Sequence, residues 1–590
     1  MSDATTQQAA EPSSRFGSRP QVIVDGTPLA DELVPALVGV SVEGHLHLPD
    51  VFVLTFQDTH GDVATRARIR FGSQVEIRAT RDGDGTMTPL IKGEVNALEQ
   101  EADTAGTRTV VRGYDVSYRL CRGRRTRTFA DTTDADIVRK VATDAGIELG
   151  EVVDDGPCYP HVSQMNLTDW EFLRARAHET GHELAIHGDR LAWHTPRPSS
   201  DAPGVGTDLN VAPQPLQLLL GGNLRRFRPR VSAAAQVGQV QVRGWDPVAK
   251  AAVTGTANAA TASAAVGVGP GELAGAFDPP AHVVVDRAVT SQAEADALAA
   301  AVAEQIACSH AEAEGSALGD PALLPGAAVS VGCVGWPHDG SYVLTSARHT
   351  YDRTGYHTSF TVSGRQERSL LGLASMGATK GSHRGSGPQI HGVVVGQVTD
   401  IADPDHQFRV KVSFPWLSDD YESWWARVAV PGAGDGRGLA WLPEVDDEVL
   451  VAFGHADGRT PYVIGGLYNG VDRAPNAEQL VDDSAGQVVQ RSLVSRKGHR
   501  LVLSDDDSAP KVELATGDGN LTITLDASQT TITIDSQGSV TISGSSGVKI
   551  SSDSDIDIEA SGSLKLSGQT GVTIDGGPSV SVSGDLIRLN

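Results

Sequence analysis

The chain has few aromatic residues, few cysteines, a shortage of positive charge and no long apolar run. Aromatics make up 5% of its 590 residues, against 65 glycines. That balance excludes an architecture of long helices and points to turn-rich β-structure. The four cysteines, Cys121, Cys158, Cys308 and Cys333, form no C-x-x-C or zinc-type spacing. Buried apolar thiols in a reducing compartment are expected. With 48 Lys and Arg against 74 Asp and Glu, the formal net charge is −26, which repels phosphate backbones and anionic lipid, so nucleic acid is not an expected partner. Met1 to Gly17 is polar, without an apolar signal-peptide core, and no run of about eighteen apolar residues occurs. The reading is a chain made in the cytoplasm without a signal peptide. A length of 590 residues requires several cores, roughly three to five domains.

What the sequence does have is a strict repeat near its end. An apolar-x-apolar unit recurs every eight residues: Ile532/Ile534, Val540/Ile542, Val548/Ile550, Ile556/Ile558, Leu564/Leu566, Val572/Ile574 and Val580/Val582. Leu521 to Leu525 reads as a lead-in unit one residue out of phase. Period-2 alternation places both apolar side chains of a unit on one face of a short strand, with Thr541, Lys549, Asp557 and Lys565 on the other. Gly and Ser between the units supply tight corners. Two aliphatic side chains per octad cannot offset the entropy of ordering eight residues, so the units must stack. A single-chain solenoid and a prism shared by three chains both satisfy that demand. Calcium-binding solenoids use regular nonapeptides with Asp and G-G-x-G corners, and neither is regular here. Eight residues barely travel round a full coil, which favours three chains. The stretch from Leu521 to Asn590 contains no aromatic, Cys or His, so no cofactor chemistry is expected in it.

Upstream, five short strand patterns occupy about eighty residues, at Val393–Val398, Phe408–Phe414, Ala426–Val430, Glu448–Phe453 and Pro461–Ile464, as in a small OB-type barrel. Gly392-Val-Val-Val-Gly396, Phe414-Pro-Trp-Leu417, Trp424-Trp-Ala-Arg-Val428, Pro431-Gly-Ala-Gly434 and Pro461-Tyr-Val-Ile-Gly-Gly-Leu-Tyr-Asn-Gly470 resemble the central OB domain of VgrG-type spike proteins. These occur in contractile phage tails, type VI secretion systems and extracellular contractile injection systems. Tyr118 to Phe129, Asp169-Trp-Glu-Phe-Leu173, Ala313 to Pro321 and Pro325-Gly326 resemble the hub of the same family and phage late-control protein D. The length and the OB motifs are closer to the extracellular branch.

The resemblance implies a mainly β chain that forms a homotrimer: a tandem β-barrel hub with short helices, an OB-fold barrel and a C-terminal intertwined triple-stranded β-helix. The expected division is a flexible tail at 1–20, hub regions at 21–210 and 211–375, a linker at 376–389, the OB domain at 390–470, a connector at 471–520 and the spike at 521–590. Thr133 and Ser291 open helices with capping signals, and the Ala/Gly-rich tract 249–275 reads as a long loop. Family membership further implies a non-enzymatic central spike that joins the inner tube and baseplate proteins to a PAAR-like tip protein. The tip would be met by Leu586, Ile587, Leu589 and Asn590. Effectors would be separate chains, and the target membrane would be touched only on firing.

Three other signals carry competing readings. His178-Glu179-Thr180-Gly181-His182 matches the H-E-x-x-H zinc signature, but Gly181 stands where a helix C-cap belongs and Glu183 to His187 alternates as a strand. The match reads as fortuitous, with no metal site or cofactor expected. Arg122, Arg124, Arg125 and Arg127 read as a solvated or interface face before a phosphate site. Trp424 and Trp425, beside Trp416, read as buried before they read as a sugar platform. A β-helical tail fibre or adhesin is the alternative from another functional class.

Overall fold

The computed structural model describes residues 20–80, 86–104, 106–277, 281–365 and 390–588. The expected linker at 376–389, residues 1–19 of the expected tail, Leu589 and Asn590 lie outside the described residues. The chain divides into two compact units, Met1–Leu467 and Tyr468–Asn590.

In the first unit, alternating Val, Leu and Phe build an 11-stranded sheet. Leu37–His45, Leu48–Gln57, Thr88–Asp103 and Gly106–Asp115 contribute from the first part of the chain, and Leu224–Val231, Ala311–Leu318, Ser346–Asp352 and Gly355–Val362 from beyond residue 211. The seam is the antiparallel pairing of Ser346–Asp352 with Leu37–His45, in which Arg348 lies opposite Glu43. Two cores lie along this sheet, one around Phe52, Leu54, Phe56 and Ile77, the other around Leu323, Val329, Tyr342 and Phe360. The expected division of the hub at 210/211 is therefore corrected, because strand pairing crosses it. The hub's large sheet is open, and among the described residues the strands that close into a barrel are those of the OB region. Period-2 patterning determines which side chains share a face, but not which strand, some 300 residues away, becomes the neighbour.

Two insertions carry the helices. Asp169–Thr180 and Asp134–Ala145 each begin at a complete capping box, Thr168/Glu171 and Thr133/Asp136, and each ends at a left-handed glycine, Gly181 (φ 81°) and Gly146 (φ 64°). Their apolar faces enclose Leu120, Val138, Phe172, Leu173, Leu191 and Trp193. The third helix, Gln292–Ala307, is capped by Ser291 and packs on the sheet of Gln239–Asp246, Ala251–Asn258 and His282–Val284. The tract 249–275 corrects the expectation of a loop, since it contains the strand Ala251–Asn258 and the short helix Pro270–Gly275. Its small residues serve contact instead of freedom. A Cβ on Gly255 would lie 2.2 Å from the Ala295 carbonyl, so glycine lets the strand touch the helix backbone. The thiol expectation is also corrected in part: Cys308 is buried, but Cys121 and Cys158 are exposed.

Val393–Asp400, Arg409–Ser413, Ala426–Val428, Pro461–Gly466 and Glu448–Phe453 close into the small barrel, filled by Val398, Val410, Val412, Phe414, Val449 and Val451.

The second unit opens with an antiparallel meander of Gln490–Val494, Arg500–Ser504, Lys511–Ala515, Leu521–Asp526 and Thr531–Ser536. Leu521–Asp526 and Thr531–Ser536 form a hairpin that sets Ile523 opposite Ile534 and Leu525 opposite Ile532. The lead-in unit and the first octad thus belong to this sheet, which corrects the boundary at 520/521: the repeat leaves the sheet only after Ser536. Beyond it, no described residue is assigned to a strand, because a strand needs hydrogen-bonded neighbours and these octads find none in their own chain.

Candidate assembly site

The octads present two apolar columns to solvent. Ile532, Ile534, Val540, Ile542, Val548, Ile550, Ile556, Ile558, Leu564, Leu566, Val572, Ile574, Val580 and Val582 are all between 50% and 73% exposed. From Val540 onward a regular inequality holds: the first residue of each pair is 50–57% exposed and the second 62–70%. In the hairpin pair Ile532/Ile534 the order is reversed, at 73% and 58%, which places a change of environment between these two units. Three of the corners share one feature. Gly544, Gly568 and Gly576 occupy the same octad position, two residues after the second apolar residue. A Cβ there would lie 2.3–2.5 Å from the carbonyl oxygen three residues on, that of Gly547, Gly571 or Ser579. At these three corners a side chain has no room, whereas Ser536, Ser552 and Ala560 hold the same octad position at other levels. Fourteen large aliphatic side chains in two columns form a contiguous exposed apolar surface of the kind that marks an interaction face. At the far end, Leu586 and Ile587 are also exposed.

In the first unit the OB barrel is seated on the helical insertion. Met165, from the strand Tyr159–Leu167, is buried inside the barrel core. Beside it, Ser163 Oγ lies 3.2 Å from the Tyr421 hydroxyl, and the His161 ring stacks on Trp424 at 5.8 Å. Burial lowers the His161 pKa to about 4 and raises the Tyr421 hydroxyl to about 12. Trp425 is buried and Trp424 half-buried, as expected, whereas Trp416 donates from Nε1 to the Val395 carbonyl (2.8 Å) but leaves 54% of its surface exposed.

Glu179, the middle residue of the H-E-x-x-H match, belongs to a different arrangement. Arg176 Nη1 donates to Glu179 Oε2 (2.8 Å), and Arg287 and Arg459 approach the same carboxylate at 3.8 and 3.9 Å. Arg176, 1% exposed, also holds Asp134 through Nε (2.7 Å) and Nη2 (3.1 Å), and these carboxylates raise its pKa against the penalty of burial. Glu179 therefore ties the helix to the OB loop that carries Arg459. His182 lies past Gly181, with Nδ1 2.9 Å from Thr180 Oγ1 and Nε2 2.8 Å from Asp155 Oδ1. His178 Nδ1 is 3.1 Å from Gln305 Nε2. The two histidines do not share a helix face, and among the described residues no group of three His, Cys, Asp or Glu is placed to hold a metal ion.

The basic run is occupied within the chain. Arg125 and Arg127 both reach Asp169 (3.1 and 2.6 Å), Arg127 also reaches Asp144, Arg124 donates to the Asn166 carbonyl, and Arg122 lies over the Tyr118 ring. Sequence reasoning missed the Arg176–Glu179–Arg459 cluster. A Glu amid helical arginines was visible, but its partner at 459 lies 280 residues away and no local pattern marks it.

Comparison with known proteins gives two family matches. Residues 21–352 match the Alg8 N-terminal domain, and residues 394–468 match the type VI secretion system/phage-baseplate injector OB domain. The chain is 34% identical over 130 residues to the type VI secretion system spike protein VgrG3 of Vibrio cholerae, covering 21% of this chain and 12% of the relative. It is 37% identical over 95 residues to VgrG2a of Pseudomonas aeruginosa, covering 15% and 11%. The chain thus spans about an eighth or less of the length of these curated relatives. In fold it is similar to a chain of the Francisella PdpA-VgrG complex in its half-lidded form, with a TM-score of 0.51 at 9% identity over 88% of each chain.

Proposed function

We propose that this chain, which belongs to the Alg8 N-terminal domain family and is a VgrG-type spike protein, works as one third of a homotrimeric central spike in a contractile injection machine. The observation that carries the reading is the exposure of both apolar columns from Val540 to Val582 on a single chain. Three copies, each supplying one wall of a prism, would bury the columns and give every octad backbone a hydrogen-bonding neighbour.

In this reading the hub joins the inner tube and baseplate, and sheath contraction drives the rod through a target envelope. The work is mechanical, and no side chain acts as catalyst. A PAAR-like tip protein covers the apolar end at Leu586 and Ile587, together with Leu589 and Asn590, and effectors travel as separate chains. The protein leaves the cell as part of a phage-tail-like particle of the extracellular branch and meets the target membrane only on firing. Among the described residues no helix is long and apolar enough to cross a membrane.

Sedimentation equilibrium of the purified chain tests the assembly. A particle of three times the 61.7 kDa chain mass is expected, and a monomer at micromolar concentration overturns the reading. Electron micrographs of the native particle would show the chain at the tail axis, whereas a peripheral position would favour a fibre or adhesin.

A further inference from the structure

A cleft of about 730 Å³ lies in the first unit between the strand Glu183–His187, the segment Pro89–Lys92 and the loop Ala322–Ala328. Every residue of Glu183–His187 lines it. This strand is the outer member of its three-stranded sheet. It pairs with Arg190–His194 on one side, and among the described residues no backbone hydrogen bond reaches its other side. Glu183 and Leu184 are nonetheless buried, and Ala185 and Ile186 half-buried. A strand edge that is both unpaired and withdrawn from bulk water lacks partners for its N–H and C=O groups.

The side chains around that edge specify the charge of what fits. Six carboxyl groups line the cleft, from Asp50, Glu76, Asp115, Glu183, Asp189 and Asp201, against two permanent cations, Lys92 and Arg197. Glu76 is engaged by Arg78 and Asp189 by Lys92. Asp50, Asp115 and Glu183 have no ion pair among the described residues, and burial raises the pKa of each. Asp115 already accepts from Ser117 N and Oγ and from Asp50 N, and Asp50 Oδ1 from His45 N, which leaves Glu183 and the second oxygen of Asp50 for a ligand. Arg365 stands near Glu183, but its guanidinium is spent on the Gly181 and His182 carbonyls.

A separate observation points to a hydrogen-bond donor. His194, opposite Glu183 in the sheet and 7% exposed, lines the same cleft. Its Nδ1 lies 2.8 Å from the Thr195 carbonyl oxygen and must be the donor there. In the neutral ring, Nε2 is then a bare acceptor, and this buried atom has no partner among the described residues. An amide N–H or an ammonium group would supply one.

We propose that the cleft takes an extended, cationic peptide segment of another protein, which adds as a fourth strand to the edge of Glu183–His187 and sets a Lys or Arg side chain against Glu183 and Asp50. The main-chain ladder supplies affinity, Leu90, Ile91 and Leu324 receive apolar side chains, and the carboxyl excess selects against acidic segments.

Fluorescence anisotropy on the full chain tests this with three labelled probes: Ac-Val-Lys-Val-Lys-Val-NH2, its Glu-for-Lys counterpart, and the Lys peptide N-methylated at alternate amides. The Lys probe is expected to bind at least about tenfold more tightly than either of the others, one decade of Kd. The substitutions Glu183→Gln and Asp50→Asn, made singly and together, are expected to lower its affinity by a similar factor with an unchanged thermal midpoint. Because the probe comparison uses the unsubstituted chain, it stands even if a variant misfolds. Equal binding of the Glu probe overturns the charge assignment. Equal binding of the N-methylated probe overturns strand addition, and no binding at millimolar probe overturns the site. Amide exchange at 183–187 that slows with protein concentration alone would make a second copy the occupant and overturn the proposal.

Discussion

The OB barrel and the octads are made of the same material, Val and Ile alternating in short segments, and they end in opposite states. Val398, Val410, Val412, Val449 and Val451 are wholly buried, whereas every apolar octad residue is at least half exposed. Strand length and the path between strands make the difference. Barrel strands of up to eight residues are joined by connections long enough to return, so five of them close a hydrogen-bonded ring within one chain. The octads offer three-residue segments joined by corners in which even a methyl group has no room at Gly544, Gly568 and Gly576. Hydrophobic patterning alone thus does not say whether a core is completed by the chain itself. Strand length and the path between strands say that.

The largest expected effect comes from charging the octad columns. Ile550→Asp combined with Ile558→Asp is expected to abolish the trimer, since each carboxylate buried among aliphatic groups costs several kcal/mol in all three chains. Sedimentation reads the loss, while the unfolding transition of the first unit should stay where it is. A trimer that survives would mean the columns are not its core. Next is Arg176→Met, which leaves Asp134 buried without its partner and is expected to cost about 3–5 kcal/mol in urea unfolding of the first unit. Adding Asp134→Asn should restore part of it. Within the rod, Gly544→Ala is expected to destabilise by about 1–2 kcal/mol per chain and Gly562→Ala, which meets nothing within 4 Å, by less than about 0.5 kcal/mol. Thermal dissociation of the trimer compares them.

The last effect is confined to acid and is absent at neutral pH. Burial depresses His161 from 6.5 to about 4, so the folded seat binds fewer protons than the unfolded chain between those values. Its contribution is complete above pH 6.5 and is lost as pH falls toward 4. Protection factors in Glu448–Phe453, taken relative to the intrinsic exchange rate at each pH, should fall across that window, and His161→Gln should flatten the response.

Much of the fold could be read from short-range pattern. The five barrel strands and the helices opened by Thr133 and Ser291 depend on spacings within ten residues, and the structure has each of them at the expected place. The capping boxes, and Gly146 and Gly181 at the helix ends, belong to the same class. Where expectation failed, the deciding contact was distant or the composition ambiguous. Gly255 resembled loop composition until the helix at Ala295 was seen to press on it. The first octad, indistinguishable by period from the other six, was claimed by a hairpin with Leu521–Asp526.

By itself the sequence determined the local states: which residues alternate, where helices are capped, and where glycine alone can turn a corner, because each is a property of a few neighbouring residues. Only the tertiary structure decided which partner each local element found. It joined strands from both halves of the hub into one sheet, drew Glu179 from an apparent metal motif to Arg459, and left the described octad residues after Ser536 without a strand partner in their own chain. These outcomes depend on contacts between residues far apart in sequence, whose closure no local period records.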